Sequence, residues 1–268
     1  MSALWWRRID VAGAVISLLT LALAVLWVFP ILWSLTRTMA PREDGSPFGF
    51  IIVYFNLLFG TDLGRWYINS LVTSGGVTLI VLAISSACGY ALSQIRFTGR
   101  KVLWAVIIAS FMIPVQALIV NHFFLMYQWG LINTWLGVIL PQLIAPVAVI
   151  VYKQFFDGVP AEFRDAAEID GARHWQIFLS IFLPMNWGVT TALGIIIFIA
   201  AWNAFLWPFL AVTRTEWMNV TVGATQFRQG GLNDLTVAVL SGLPVAILYL
   251  VFQKRVSEAI SFSAGIKG

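Results

Sequence analysis

Charged residues divide this chain into blocks, and between the blocks run six stretches, 11–36, 66–93, 102–127, 135–152, 186–212 and 235–252, that contain no Asp, Glu, Lys or Arg. The shortest has eighteen residues. At about 1.5 Å of rise per residue, helices of this length can cross a hydrocarbon core about 30 Å thick. Water could not solvate so much uninterrupted apolar chain: 60% of the residues are hydrophobic and 10% charged, against about 25% charged in soluble domains. The expected fold is therefore all-α: a polytopic membrane protein with six transmembrane helices, residues 1–268 forming a single transmembrane domain. Arg7 and Arg8 precede the first stretch, and Ala22-Leu23-Ala24 resembles a signal-cleavage site. The run continues to Leu35, too long for a signal peptide, so a retained helix is expected.

The basic residues orient the bundle. With both termini in the cytoplasm, eleven of the sixteen Lys and Arg fall inside, among them Arg7, Arg8, Arg96, Arg100, Lys101, Lys153, Arg164 and Arg173, whereas Arg37, Arg42, Arg65, Arg214 and Arg228 fall outside. That bias follows the positive-inside rule. The net charge of +4 thus reports topology, and no basic run is long enough to suggest a nucleic-acid partner. Trp66, Tyr67, Tyr127, Trp129 and Trp135 sit near span ends, where amphipathic rings favour the headgroup layer.

Several chemistries are excluded or disfavoured. Cys88 is the sole cysteine, so neither a disulfide framework nor a thiolate metal cluster can form. His122 and His174 fall at opposite ends of the bundle in this topology, too far apart to share a metal, and no metal site is expected. No acid or base lies within a span, whereas ion-coupled carriers and proton relays require them there. The polar residues in the spans are neutral amides, Gln116, Asn121, Gln142, Asn186 and Asn203. Lipid exposure would cost each several kcal/mol, so they should face protein or a wet cavity. A cavity of amides and tryptophan faces would suit a neutral polyol, although hydrogen bonding between helices accounts for such amides equally well. Pro114, Pro141, Pro146, Pro208 and Pro244 interrupt the helices, and Gly75, Gly76, Gly89, Gly188 and Gly194 permit close contact.

The most informative segment is the cytoplasmic loop 155–184. Pro160 suits a first helical turn, Glu162 and Asp165 favour the positive helix end, and Gly171 can take the left-handed conformation that terminates it. A helix, a turn and a second helix follow. Phe163, Ala166, Ala167 and Asp170 fall on one side at helical spacing. The small side chains offer little to lipid; they suit close docking of another protein surface whose arginines meet the carboxylates, or else belong to an ordinary solvated loop.

Asp165-Ala166-Ala167, then Asp170-Gly171-Ala172, then Ile181-Phe182-Leu183-Pro184 resembles the EAA loop of ABC importer permeases. Trp202-Asn203-Ala204-Phe205-Leu206-Trp207-Pro208, Phe252-Gln253-Lys254-Arg255 and the terminal Gly265-Ile266-Lys267-Gly268 resemble the carbohydrate-uptake branch of that family. Two positions depart from it: Asp165 stands where Glu is usual, one methylene shorter, and Ala204 where Asp is frequent.

The resemblance implies an inner-membrane permease of a bacterium, one of two non-identical permeases, bound to two ATP-binding subunits and fed by an extracytoplasmic substrate-binding protein. The chain has no phosphate-binding Gly-x-x-x-x-Gly-Lys-Ser/Thr loop, so ATP and Mg would be held by the partner subunits, and the chain itself would be non-catalytic. Leu240-Ser241-Gly242 is a chance likeness to an ABC signature. By the resemblance, Asp165, Ala166, Ala167, Asp170, Gly171 and Ala172 couple the permease to the ATPases, and the tail near Lys267 approaches them. Trp202 and Asn203, with Gln116 and Asn121, are candidates for the substrate path, with helix packing as the other reading of Trp202. The outer segment 37–65 is a candidate contact for the binding protein. A stand-alone secondary carrier or channel for a small neutral solute would also account for six spans, but not for the EAA-like loop. A membrane-embedded enzyme would need a paired acid and base or a metal cluster in the spans.

Overall fold

The computed structural model describes residues 11–39, 55, 58–226, 239 and 241–253. Arg7 and Arg8, positions 40–54 of the outer segment, the start of the sixth stretch and the tail carrying Lys254, Arg255 and Lys267 lie outside the described residues. Among the described residues the structure is helical, with no strand. The helices are α1 (Val11–Met39), α2 (Leu63–Gln94), α3 (Arg100–Phe111), α4 (Ile119–Gln128), α5 (Trp135–Ile139), α6 (Pro146–Asp157), α7 (Ala161–Ile169), α8 (His174–Met185), α9 (Trp187–Trp202), α10 (Leu206–Ala211), α11 (Val220–Gln226) and α12 (Ser241–Gln253).

Two helices, α1 and α2, are long and apolar enough to cross a membrane unaided. Three further units are bent: α3 meets the Val115–Gln128 segment at 91°, the Trp135–Leu143 segment meets α6 at 53°, and α8 meets α9 at 79°. Proline explains where the breaks fall. Pro114 is extended, with φ −68° and ψ 125°, and its ring removes a donor from the helix ladder. Ala145 precedes Pro146 and is forced out of the helical region, with φ −132° and ψ 69°. Within α8 the chain unwinds into a wider π-turn at Phe178–Phe182 just before Pro184. The stretch 186–212, expected as one span, is two helices, because Asn203 caps α9 and the chain re-enters a helix only at Leu206.

α2 is the axis of the bundle, and α6 and α9 pack along it. Its contact face is small and hydroxylic: Ser70, Thr73, Ser74, Thr78, Ser85, Ser86 and Gly89 are all buried. The threonine hydroxyls do not remain orphaned, because Thr73 donates to Asn69 O at 2.8 Å and Thr78 to Ser74 O at 2.7 Å. Gly89 lets α6 approach closely; a Cβ there would stand 2.7 Å from Tyr152 Cβ and 3.0 Å from Lys153 N. Gly76 does the same toward Ile139.

Three apolar clusters stack along this axis. One holds Trp66, Met126, Val138, Trp202 and Trp207; a middle one holds Val77, Val81, Ile139, Ala148 and Ala201; the third holds Tyr90, Tyr152, Phe156, Ile177, Phe182 and Leu193. Outside them, α1 and α3 turn large apolar side chains outward, including Leu18, Trp27, Val102 and Val106. Such faces need lipid or another subunit for cover.

Candidate functional site: a docked helix–turn–helix and a cleft between broken helices

The loop singled out in the sequence folds as α7, a tight turn and α8. Pro160, extended at φ −55° and ψ 135°, opens α7. Gly171 closes it at φ +80°. The Gly171 N–H donates to Glu168 O at 3.1 Å and the Ala172 N–H to Ala167 O at 2.9 Å, the paired bonds that end a helix on a left-handed glycine. α8 then starts with the Arg173 N–H donating to the Gln176 side chain at 2.8 Å, half of a capping box.

α7 has two faces with different tasks. Ala167 and Ala172 pack inward against the Tyr90–Phe156–Phe182 cluster. Asp165, Ala166, Asp170 and Gly171 are exposed, as are Phe163, Ile169 and Trp175. The alanine pair read as one docking patch is therefore split. Ala166 faces out and Ala167 faces the bundle, because successive residues of a helix lie about 100° apart around its axis. The small size of Ala167 lets α7 lie close to the helices beneath it.

Arg164 anchors α7 to the bundle. Its Nη1 donates to Gln94 Oε1 at 3.2 Å, and its Nε and Nη2 donate to Asp165 Oδ1 at 3.0 and 2.8 Å. The bond to Asp165 holds the guanidinium above its usual pKa, so the arginine stays charged throughout. Gln94 in turn donates to Phe156 O at 3.1 Å. Ser93 donates to Asp157 at 2.6 Å, and Asp157 pairs with Lys153. The ends of α2, α6 and α7 are thus joined through side chains. The shorter Asp165 side chain reaches Arg164 in its own helix and remains largely exposed. Tyr90 closes the inner side, with its hydroxyl 3.4 Å from Nδ1 of His174. Arg164, Gln94 and Tyr90 escaped the sequence reading, since a lone Arg, Gln or Tyr there carries no local signal.

The path candidates do not gather in one place. Trp202 is 3% exposed, donates to Ser241 O at 3.2 Å and packs on Tyr67 and Phe198; it fills an interface. Asn203 and Asn121 are exposed, and neither lines the cleft described next. Gln116 does line it. This cleft, about 550 Å³, lies between α2, the α3–α4 bend, the break before α6, and the α9–α10 break. Gln116, His122 and Gln142 bring polar groups to its walls, together with Trp207 and Ala204. Among the described residues no Asp, Glu, Lys or Arg lines it. Gln142 donates to Val138 O at 2.8 Å, and the His122 ring stands edge-on to Trp207 at 6.0 Å. His122, Gln142 and Trp207 come from different stretches, and only the helix breaks bring them together.

At the far end of α2, Asn69 is a second unforeseen hub. Its amide nitrogen donates to Glu216 O and Met218 O, each at 3.0 Å, and its oxygen accepts the Trp135 indole N–H at 2.9 Å. Among the described residues no three His, Cys, Asp or Glu side chains group to hold a metal.

A bundle of broken helices around a mainly apolar cleft that carries a few polar groups, with a helix–turn–helix tied to one end, is an arrangement that suits a membrane permease. Residues 80–261 match the family described as the binding-protein-dependent transport system inner membrane component. The chain is 32% identical to the arabinooligosaccharides transport system permease protein of Halalkalibacterium halodurans, over 92% of this chain and 93% of the relative. It is 29% identical to the diacetylchitobiose uptake system permease protein of Streptomyces coelicolor, covering 90% and 86% of the two chains. The fold is that of a bacterial ABC transporter involved in alginate import, with a TM-score of 0.81 at 20% identity over 94% of this chain and 99% of that one. The chain belongs to this family of inner-membrane permease components of ABC importers.

Proposed function

We propose that this permease carries a sugar or sugar-like solute into the cytoplasm as one of two non-identical permeases. Two ATP-binding subunits would hold the ATP and Mg, and an extracytoplasmic substrate-binding protein would deliver the solute. The relatives named for arabinooligosaccharide and diacetylchitobiose transport support the substrate class. The cleft, with no charged side chain among its described lining residues, agrees with it: amides and an indole ring offer hydrogen bonds and an apolar platform to a neutral polyol. Six crossings with both termini cytoplasmic would count α1, α2, the two bent units α3–α4 and α5–α6, the unit beginning at α9 and the helix ending at Gln253, with the α7–α8 loop inside.

The observation that carries the mechanism is the two-faced helix α7. Its inner face is fixed to α2 by Arg164 and to the aromatic cluster by Ala167, with Ala172 of the following turn packed on the same cluster, so it moves with the bundle. Its outer face presents Asp165, Phe163 and Ile169 to a partner, and Trp175 at the start of α8 is exposed as well. An ATPase pair that grips this face with different affinity in its open and closed states would bias the bundle between two arrangements. The test is reconstitution with the partner subunits. ATP-dependent sugar uptake, lost without ATP, is the expected result. Uptake by the lone chain in liposomes without ATP would instead make it a secondary carrier.

A further inference from the structure

We infer that the pocket between the α2–α3 connection and α6 is a binding site for the headgroup of an anionic phospholipid of the inner leaflet. The pocket holds about 600 Å³ and is lined by Arg96, Arg100, Lys101 and Lys153 together with Val102 and Trp104. Two of the four cations are fixed in place. Arg100 donates to Ser93 O at 3.2 Å and to Ile95 O at 3.5 Å, and Lys153, paired with Asp157, lies 5.0 Å above the Trp104 ring. Arg96 and Lys101 are exposed and form no ion pair among the described residues. The pocket therefore keeps two uncommitted cations at its mouth against the single negative charge of a phosphodiester.

The wall beside the pocket separates a lipid from a free anion. Val102 and Val106, one turn apart on α3, are 67% and 58% exposed, and together they form an apolar track leaving the pocket along the helix. A headgroup in the pocket would lay its acyl chain on that track. Inorganic phosphate would gain nothing from it. Basic pockets between transmembrane helices at the cytoplasmic surface take anionic headgroups in this way, and an indole at the same level is at home in the headgroup layer. The site lies beside Asp157 and Ser93, the groups that tie α2 to α6, so a bound lipid would brace the end of the bundle on which α7 rests.

This inference rests on the inner-membrane placement and the proposed orientation, and is independent of the solute carried. The test uses the whole importer complex, purified in mild detergent and titrated with phosphatidylglycerol or phosphatidylcholine of matched chains, with bound lipid counted by native mass spectrometry. The wild-type complex is expected to prefer phosphatidylglycerol. Arg96→Gln with Lys101→Gln should weaken its binding on the order of tenfold and leave phosphatidylcholine unchanged, whereas Arg96→Lys with Lys101→Arg should retain it. Equal binding of the two lipids by wild type, or an undiminished preference in the glutamine variant, would overturn the proposal. Displacement by millimolar inorganic phosphate would show a simple anion site instead. Lipid bound only after the ATP-binding subunits are stripped away would make the pocket a protein interface. None of these readings depends on uptake, so a failed transport assay leaves this test intact.

Discussion

Gly171 offers the sharpest probe of the α7–α8 element, because its effect separates backbone strain from steric bulk. A Cβ added there meets nothing within 4 Å, so size alone costs nothing. The residue sits at φ +80°, where an L side chain is strained by about 1–2 kcal/mol, and asparagine tolerates this region better than alanine does. Proline cannot adopt it, since its ring holds φ near about −65°. Proline would also delete the N–H that donates to Glu168 O and push Asp170 out of its present conformation at φ −73° and ψ 1° toward extended backbone. The expected order of damage is therefore Asn, then Ala, then Pro. About 1 kcal/mol shifts the balance between native and rearranged turns roughly fivefold, so Gly171→Ala should lower the sugar imported per ATP without abolishing transport. Gly171→Pro should leave ATP hydrolysis running without import. The assay is simultaneous uptake and phosphate release in proteoliposomes containing the full complex. Normal coupling in the proline variant, or alanine proving worse than proline, would refute the argument that the left-handed turn positions α7.

Other substitutions test the packing and the cleft. Gly89→Ala should force α2 and α6 apart, since its Cβ meets Tyr152 Cβ and Lys153 N; overpacking of this kind costs about 1–3 kcal/mol and should lower the melting temperature in detergent, whereas Gly75→Ala, with open space around it, should not. Asn69→Ala removes two donated bonds and strands the Trp135 indole N–H, so a loss of about 1–3 kcal/mol should appear as earlier thermal unfolding, and an unchanged melting curve would argue against the hub. Gln116→Ala and Gln142→Ala should raise the half-saturating sugar concentration of the reconstituted complex or change its selectivity, while Asn203→Ala, outside the cleft, should leave both alone.

Much of this was readable from sequence because it is local. Charge-free runs give helices, Pro114 and Pro146 mark where two of them break, and Gly171 follows Ala167 at the distance that closes a helix. The family likeness is equally a matter of short spacing, and the match over residues 80–261 bears out the family. The hydrogen bonds from Asn69 and Trp66 reach partners 147 to 149 residues away, and no periodicity announces such a pairing. Trp202 and Ala167 show the same limit from another side: the residue type suited either role, and only its direction within the bundle decided that Trp202 packs between helices and that Ala167 faces inward.

The lipid solvent, the helical class and the position of the loop follow from local hydropathy, backbone restriction and turn chemistry acting within a few residues, and so are legible in the residues alone. Tertiary structure alone decided which faces meet. It brought Gln116, His122, Gln142 and Trp207 around one cleft and tied Arg164 to Gln94, because contacts between distant segments depend on how broken helices cross, and the angle of a break is set by everything packed against it.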